Sequence, residues 1–274
     1  MKIKITSLHN PQLKKIIQLR EHKTRQLTGL TIVEGLREIS RLKEAQAAGV
    51  LFEELFVCRG FLKKDGKKDL VKEIELQGIP VAEVSKEIYA KISFGDRLEG
   101  LLAVCRPKFF TLEELQLRKI PLIVVAEGLE KPGNLGAILR TCDAAGVDGL
   151  LVCDGQTDIY NPNVIRASLG TVFGVRVVQS TQKDALKFLK DSNIQICAAT
   201  PQAATSYFQM NFKGPAAIVL GSEEKGLSDF WLNHADRKVK IPMRGKADSL
   251  NVSATAAIVV YEALRQRGSI ERVA

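Results

Sequence analysis

Three short stretches from Glu127 onward gather side chains able to do polar chemistry. The first is Glu127-Gly-Leu-Glu-Lys-Pro-Gly-Asn134, continued by Leu-Gly-Ala-Ile-Leu-Arg140. The second is Ile218-Val-Leu220-Gly221-Ser-Glu223-Glu-Lys-Gly226, and the third is Ile241-Pro-Met243-Arg-Gly-Lys-Ala-Asp-Ser249-Leu250-Asn251-Val-Ser253. Amides, hydroxyls, a carboxylate and a guanidinium of these kinds orient polar ligands, and Gly221 lets another molecule approach the backbone closely at the end of an apolar run. Each residue also has an ordinary structural use. Asn134, Ser249, Asn251 and Ser253 all suit a helix N-cap, while Arg140 and Glu223 suit a solvated surface. Gly128, Gly133 and Gly136 do not fall at the G-x-G-x-x-G spacing, which argues against a nicotinamide-dependent oxidoreductase.

These stretches need elements to position them. Apolar runs predict strands over 122–126, 149–153, 174–178, 194–198 and 217–220, with a sixth short one over 238–241. Helical periodicity fits 135–145, 182–190, 227–235 and 251–267, and Gly146 supplies a stop for the first. Strands alternating with helices imply an α/β fold with a parallel sheet, and such sheets bind ligands outside the carboxyl ends of their strands. All three stretches lie there.

Upstream, Asn10-Pro11 opens a helix with Leu13, Ile16 and Ile17 inward. Strands follow over 30–33, 55–58, 79–84 and 101–105, with helices from Leu36 and over 69–77. The pattern predicts a small α/β/α domain over residues 1–107, a charged linker over 108–119 and a second domain over 120–274.

The chain of 274 residues has a net charge of +9. Residues 1–107 hold 20 Lys and Arg against 14 Asp and Glu, densest where Lys2, Lys4, Lys14, Lys15, Arg20, Lys23 and Arg25 meet only Glu21. Such a patch attracts polyanions by counterion release, or is simply solvated. The five cysteines are scattered, with no C-x-x-C pair, which excludes a disulfide framework and a zinc site and suggests buried, inert thiols. With no membrane-length apolar run and no signal-peptide pattern at Met1-Lys-Ile-Lys-Ile, a cytoplasmic protein is expected.

Taken in order, Asn134-x5-Arg140, Gly221-Ser-Glu223-x2-Gly226 and Ile241-Pro-Met243 with Ser249-Leu250-Asn251-Val-Ser253 resemble the three motifs of the SpoU/TrmH methyltransferases of the SPOUT class. The resemblance covers the chain from about residue 120 onward. One departure is Lys131, where the family usually has Asp before Pro-Gly-Asn. In the first block, Ile5-Thr-Ser-Leu-His-Asn10-Pro11, the Lys14/Lys15 pair and Val33-Glu34-Gly35 with Arg37 look like the substrate-binding extension of longer members, which resembles small ribosomal-protein domains.

The resemblance implies a deep trefoil knot, which general rules of chain topology would not have suggested. It implies S-adenosylmethionine as cofactor, held by Gly221, Ile241 and Leu250 with Leu220 and Met243 as further lining, and no metal. It implies Arg140 as the central catalytic residue, with Asn134, Glu223, Ser249 and Asn251 around it. RNA would be bound with the help of Lys14, Lys15, Arg25 and Arg37, and sites would form in a homodimer. The implied reaction is methyl transfer to a ribose 2′-hydroxyl, most naturally of ribosomal RNA given the N-terminal domain. Transfer RNA as substrate and a non-catalytic RNA-binding module are the alternatives.

Overall fold

The computed structural model describes residues 3–8, 10–62, 66–95, 98–155 and 157–268. Lys2 of the basic opening and the histidine of the first motif, His9, lie outside the described residues. Two compact units are present, one of Met1–Lys108 with Asp158–Gly174, the other of Phe109–Thr157 with Val175–Ala274.

In the first unit, β1 (Ile3–Ile5), β2 (Thr31–Glu34), β3 (Leu51–Val57), β4 (Val81–Val84) and β5 (Leu101–Arg106) form a sheet in the order β1-β4-β3-β5-β2. β1, β4 and β3 run parallel, and β5 is antiparallel to both β3 and β2. The helices are α1 (Pro11–Gln18), α2 (His22–Thr28), α3 (Leu36–Glu44), α4 (Lys67–Leu76) and α5 (Lys86–Ile92). Asn10 starts α1 by accepting from the Gln12 N–H at 2.8 Å, with Pro11 in the first turn, where a missing N–H costs nothing. Leu13, Ile16 and Leu19 then pack with Ile32, Phe56 and Tyr89 in one core, leaving Lys14 and Lys15 exposed. β1, α2 and α5 were not expected from the sequence. β1 is three residues long, and α2 reads His-Lys-Thr-Arg-Gln-Leu-Thr, with no apolar stripe to reveal it.

In the second unit, β6 (Leu122–Glu127) leads into α6 (Pro132–Ala145) and β7 (Gly149–Cys153). The chain then visits the first unit, where α7 (Pro162–Ala167) packs on β2, and returns as β8 (Val177–Ser180). The strand expected over 174–178 starts later because a 3-10 turn, Thr171–Phe173, precedes it. After α8 (Gln182–Asp191) come β9 (Gln195–Ala199), β10 (Thr205–Ser206), β11 (Ala216–Leu220), α9 (Asp229–His234), β12 (Arg237–Lys240) and α10 (Val252–Arg267). The seven strands lie in the order β10-β12-β9-β11-β6-β7-β8, all parallel. Every residue of β6, β7 and β11 is buried, as expected of a parallel sheet covered on both faces.

Ile123, Val125, Ala217 and Val219 share a core with α8 and the fully buried Trp231 of α9. The stretch expected to be a linker joins this core through Leu115, and Arg118 pairs with Asp148 at 2.9 Å; one apolar and one charged anchor make it part of the second unit. Past β12 the chain returns through residues 241–251 to place α10 against α6 and β11. Ile241, Met243, Ser249 and Leu250 of that return lie beside the turn following β11. Among the described residues, no helix is long and apolar enough to cross a membrane.

Candidate functional site

The turn after β11 is closed by reciprocal backbone bonds, the Ser222 N–H donating to Gly226 O at 3.1 Å and the Gly226 N–H to Ser222 O at 3.0 Å. Gly226 adopts a left-handed φ of 67° to complete it. Gly221 has a different reason to be glycine. A Cβ there would stand 2.2 Å from the Gly226 carbonyl carbon and 2.3 Å from Leu227 N, so the backbone is folded onto itself with no room for a side chain.

This turn, the segment after β12 and the residues after β9 enclose one cavity of about 440 Å³. Leu220, Gly221, Glu223, Ile241, Met243, Ser249 and Leu250 all line it. Its size lies within the range of small-molecule sites, about 300–1,000 Å³. The combination of aliphatic walls with the main chain of the Gly221 turn suits a nucleoside, whose ring needs apolar faces and whose edges need directional hydrogen bonds. The residues therefore fit S-adenosylmethionine.

Asn251 caps α10. Its Oδ1 accepts from the Ser253 N–H at 2.9 Å and from the Ser253 hydroxyl at 2.6 Å. Its Nδ2 donates to Asn134 Oδ1 at 3.1 Å. The N-cap use considered for Asn134 is corrected here, because Lys131 is the cap of α6 and Pro132 opens it, putting Asn134 inside the first turn. Asn134 Nδ2 is itself buried without a hydrogen-bond partner. The family departure at Lys131 also acquires a physical meaning, since Lys131 makes no side-chain cap bond where an aspartate could.

Arg140 and Glu223 are both exposed. Arg140 lies six positions after Asn134 on α6, which turns their side chains about 120° apart. No ion pair joins Arg140 to Glu223 among the described residues of the one chain, so the expected contact between them is not made within it.

The basic residues assigned to RNA divide. Lys14, Lys15 and Arg37 are exposed. Arg25 is 5% exposed, its Nε donating to Asp158 Oδ2 at 2.7 Å and its NH1 to the carbonyls of Leu19 and Arg20. All of this serves the fold of the first unit, so Arg25 is corrected from an RNA contact to a buried structural arginine. Arg20 likewise donates to the carbonyls of Lys91 and Ser93. Glu34 of the Val-Glu-Gly motif also faces inward: the Tyr89 hydroxyl donates to it at 2.9 Å and the Phe94 N–H at 2.8 Å, and burial pushes its carboxyl up to about 7. The five cysteines are free and buried; burial, then the charges of Asp154 and Glu127, push the Cys153 thiol up to about 12. No group of residues able to hold a metal occurs among the described residues.

Sequence reasoning missed Thr200 and Gln202, which line the cavity, and Glu127, whose buried carboxylate accepts from the Ser228 N–H and hydroxyl. Their position at the carboxyl ends of β9 and β6 was the available signal.

A parallel sheet whose carboxyl-end turns close on one nucleoside-sized cavity, with the last helix returned across it, is the fold of the SPOUT-class methyltransferases. The chain is similar to the crystal structure of an RNA 2′-O ribose methyltransferase, at 42% identity and a TM-score of 0.85 over 97% of this chain and 99% of that one. It is also similar to an AdoMet-bound rRNA methyltransferase from Sinorhizobium meliloti, at 26% identity and a TM-score of 0.86 over 97% and 98% of the two chains. Among curated relatives, the 23S rRNA (guanosine-2′-O-)-methyltransferase RlmB of Salmonella typhimurium is 28% identical over 86% of this chain and 98% of its own. Residues 121–261 match the SpoU rRNA Methylase family and residues 10–103 the MRM3-like substrate binding domain. The chain belongs to the SpoU family of RNA methyltransferases, and its cofactor is S-adenosylmethionine.

Proposed function

We propose that this protein methylates a ribose 2′-hydroxyl of ribosomal RNA and works as a homodimer. The observation that carries the reading is the gathering of Gly221, Glu223, Ile241, Ser249 and Leu250, from two separated turns, around one cavity. Beside them, Asn251 bonds to Asn134 of the first stretch. The MRM3-like match of the first unit and the RlmB relative favour ribosomal RNA as the substrate.

S-adenosylmethionine, when bound, supplies an electrophilic methyl group on a sulfonium. Gly221, Ile241 and Leu250 would hold it, with Leu220 and Met243 against its apolar faces. Holding the ribose hydroxyl in line is the larger task, because alignment removes up to about 7–11 kcal/mol of barrier. Asn134 orients the sugar, and Asn251 fixes the Asn134 amide. A guanidinium is a planar fork of donors with no acceptor, and that is the part given to Arg140. It binds the neighbouring phosphate and stabilises the negative charge on the 2′-oxygen as the hydroxyl proton passes to solvent water. Glu223 and Ser249 position these groups.

Arg140 is exposed and has no ion pair among the described residues, which supports a site completed by a second subunit. Mixing Arg140→Ala subunits with Gly221→Ala subunits should restore activity that neither has alone; no recovery would place each site within one chain. The substrate is tested by mapping ribose methylation through reverse-transcription stops in RNA from cells with and without the gene. A ribosomal RNA position that loses its methyl group supports the proposal, and a loss confined to transfer RNA overturns it.

A further inference from the structure

We infer that Glu127 is a positioning residue for the cofactor turn, acting through Ser228 and touching no reacting atom. The inference rests on the reading that the cavity holds S-adenosylmethionine. Glu127 ends β6, whose six residues are all buried, and it is itself 6% exposed. A carboxylate in that setting is costly to bury unless its oxygens are hydrogen-bonded. Both are spent on one residue: Oε2 accepts from the Ser228 N–H at 2.8 Å and Oε1 from the Ser228 hydroxyl at 2.6 Å.

Ser228 would ordinarily do something else. It occupies the N-cap of α9, yet its side chain makes no cap bond. Serine is among the preferred residues there because its oxygen accepts from the first turn. Here the hydroxyl is given instead to a carboxylate 101 residues away. A local preference surrendered for one distant link points to what the link holds.

It holds the exit of the turn. The entrance is fixed by β11, where Leu220 pairs with Ala126 of β6. The exit, Ser228, is fixed by the next residue of the same strand, Glu127. Between these adjacent anchors the backbone at Gly221 lies hard against Gly226 and Leu227, and Gly128 backs onto Ser222, where an added Cβ would meet the serine Cβ at 3.6 Å. Releasing Ser228 lets that close-packed turn open, and the turn supplies Gly221 and Glu223 to the cavity.

The test compares Glu127→Ala, Glu127→Gln and Ser228→Ala with the wild type by calorimetric titration of S-adenosylmethionine, thermal unfolding and steady-state kinetics. Glu127→Ala should weaken cofactor binding by about tenfold or more and raise the cofactor KM, while kcat at saturating cofactor stays within about threefold. Glu127→Gln should rescue binding, because the amide oxygen can accept the Ser228 N–H and its NH2 can donate to the hydroxyl. That hydroxyl can then turn toward Gln182 Oε1, 3.5 Å away. Ser228→Ala keeps one of the two bonds and should fall between; it carries the test if Glu127→Ala does not fold, and unchanged binding in it would then overturn the inference. Wild-type affinity in folded Glu127→Ala, failure of Glu127→Gln to rescue, or a fall in kcat at unchanged KM also overturns it. A wild-type protein that binds no S-adenosylmethionine would remove the cofactor reading itself, whereas normal wild-type binding with an indifferent Glu127→Ala removes this inference alone.

Discussion

Asn251 Nδ2 donates to Asn134 Oδ1 at 3.1 Å, joining the N-cap of α10 to the first turn of α6 across 117 positions of sequence. The same Asn251 side chain caps its own helix through Oδ1. One amide therefore does a structural and a positioning task with different atoms, and the two can be separated. In Asn251→Ser the hydroxyl still caps α10 but is too short to reach Asn134. Thermal stability should stay within about 0.5 kcal/mol of wild type, while loss of one hydrogen bond, about 0.5–1.5 kcal/mol, lowers kcat/KM by roughly two- to twelvefold. Equal losses of stability and activity would mean that capping is its whole role.

Gly221 and Gly226 sit in one turn and should respond oppositely to alanine. Gly221→Ala drives a Cβ into backbone that cannot yield, so cofactor titration should show binding abolished. Gly226→Ala meets no atom within 4 Å and faces only the cost of a left-handed conformation, about 1–2 kcal/mol. Its binding should survive, weakened.

In the first unit, the basic residues should divide into structural and surface groups. Arg25→Ala leaves the Asp158 carboxylate without its buried partner and should cost about 3 kcal/mol of stability. Lys14→Ala and Lys15→Ala should leave unfolding unchanged within about 0.5 kcal/mol. Each should instead lessen the slope of log K for RNA against log salt by about 0.7. Denaturant melts and RNA titrations at several ionic strengths read both effects.

Glu34 makes the stability depend on pH. Burial pushes its carboxyl from the ordinary 4.5 up to about 7, against the opposing Phe94 N–H and Tyr89 hydroxyl. The folded state thus keeps a proton that the unfolded chain releases earlier. Its stabilising contribution is full below pH 4.5 and is lost as pH rises through 7. Relative to Glu34→Gln, which does not titrate, the wild-type melting temperature should fall between pH 5 and 7.5. Parallel curves would contradict the assignment.

The site was legible in the sequence where polar or glycine residues directly follow apolar runs, because ligand-binding turns and strand ends then coincide. Gly221 was singled out that way, Ile241 and Leu250 by the family motifs alone, and all three line the one cavity. What failed to show were partners set by folding. Arg25 reads as one more lysine-like charge until Asp158, 133 residues on, is brought beside it. Nothing local in residues 158–174, which lie between β7 and β8, reveals that they pack with the first unit. The charges of residues 108–119 suggested a tether, but Leu115 was the residue that mattered. Asn134 looked like a cap because its neighbours suit one; Pro132, two residues earlier, had already opened the helix.

The most direct test is transfer of a labelled methyl group from S-adenosylmethionine to ribosomal RNA by the purified protein, followed by digestion to nucleosides. Wild type should place the label on a single ribose 2′-oxygen, and Arg140→Ala should bind cofactor normally yet transfer almost none. Label on a base, or no transfer by a folded protein that binds the cofactor, would contradict the account.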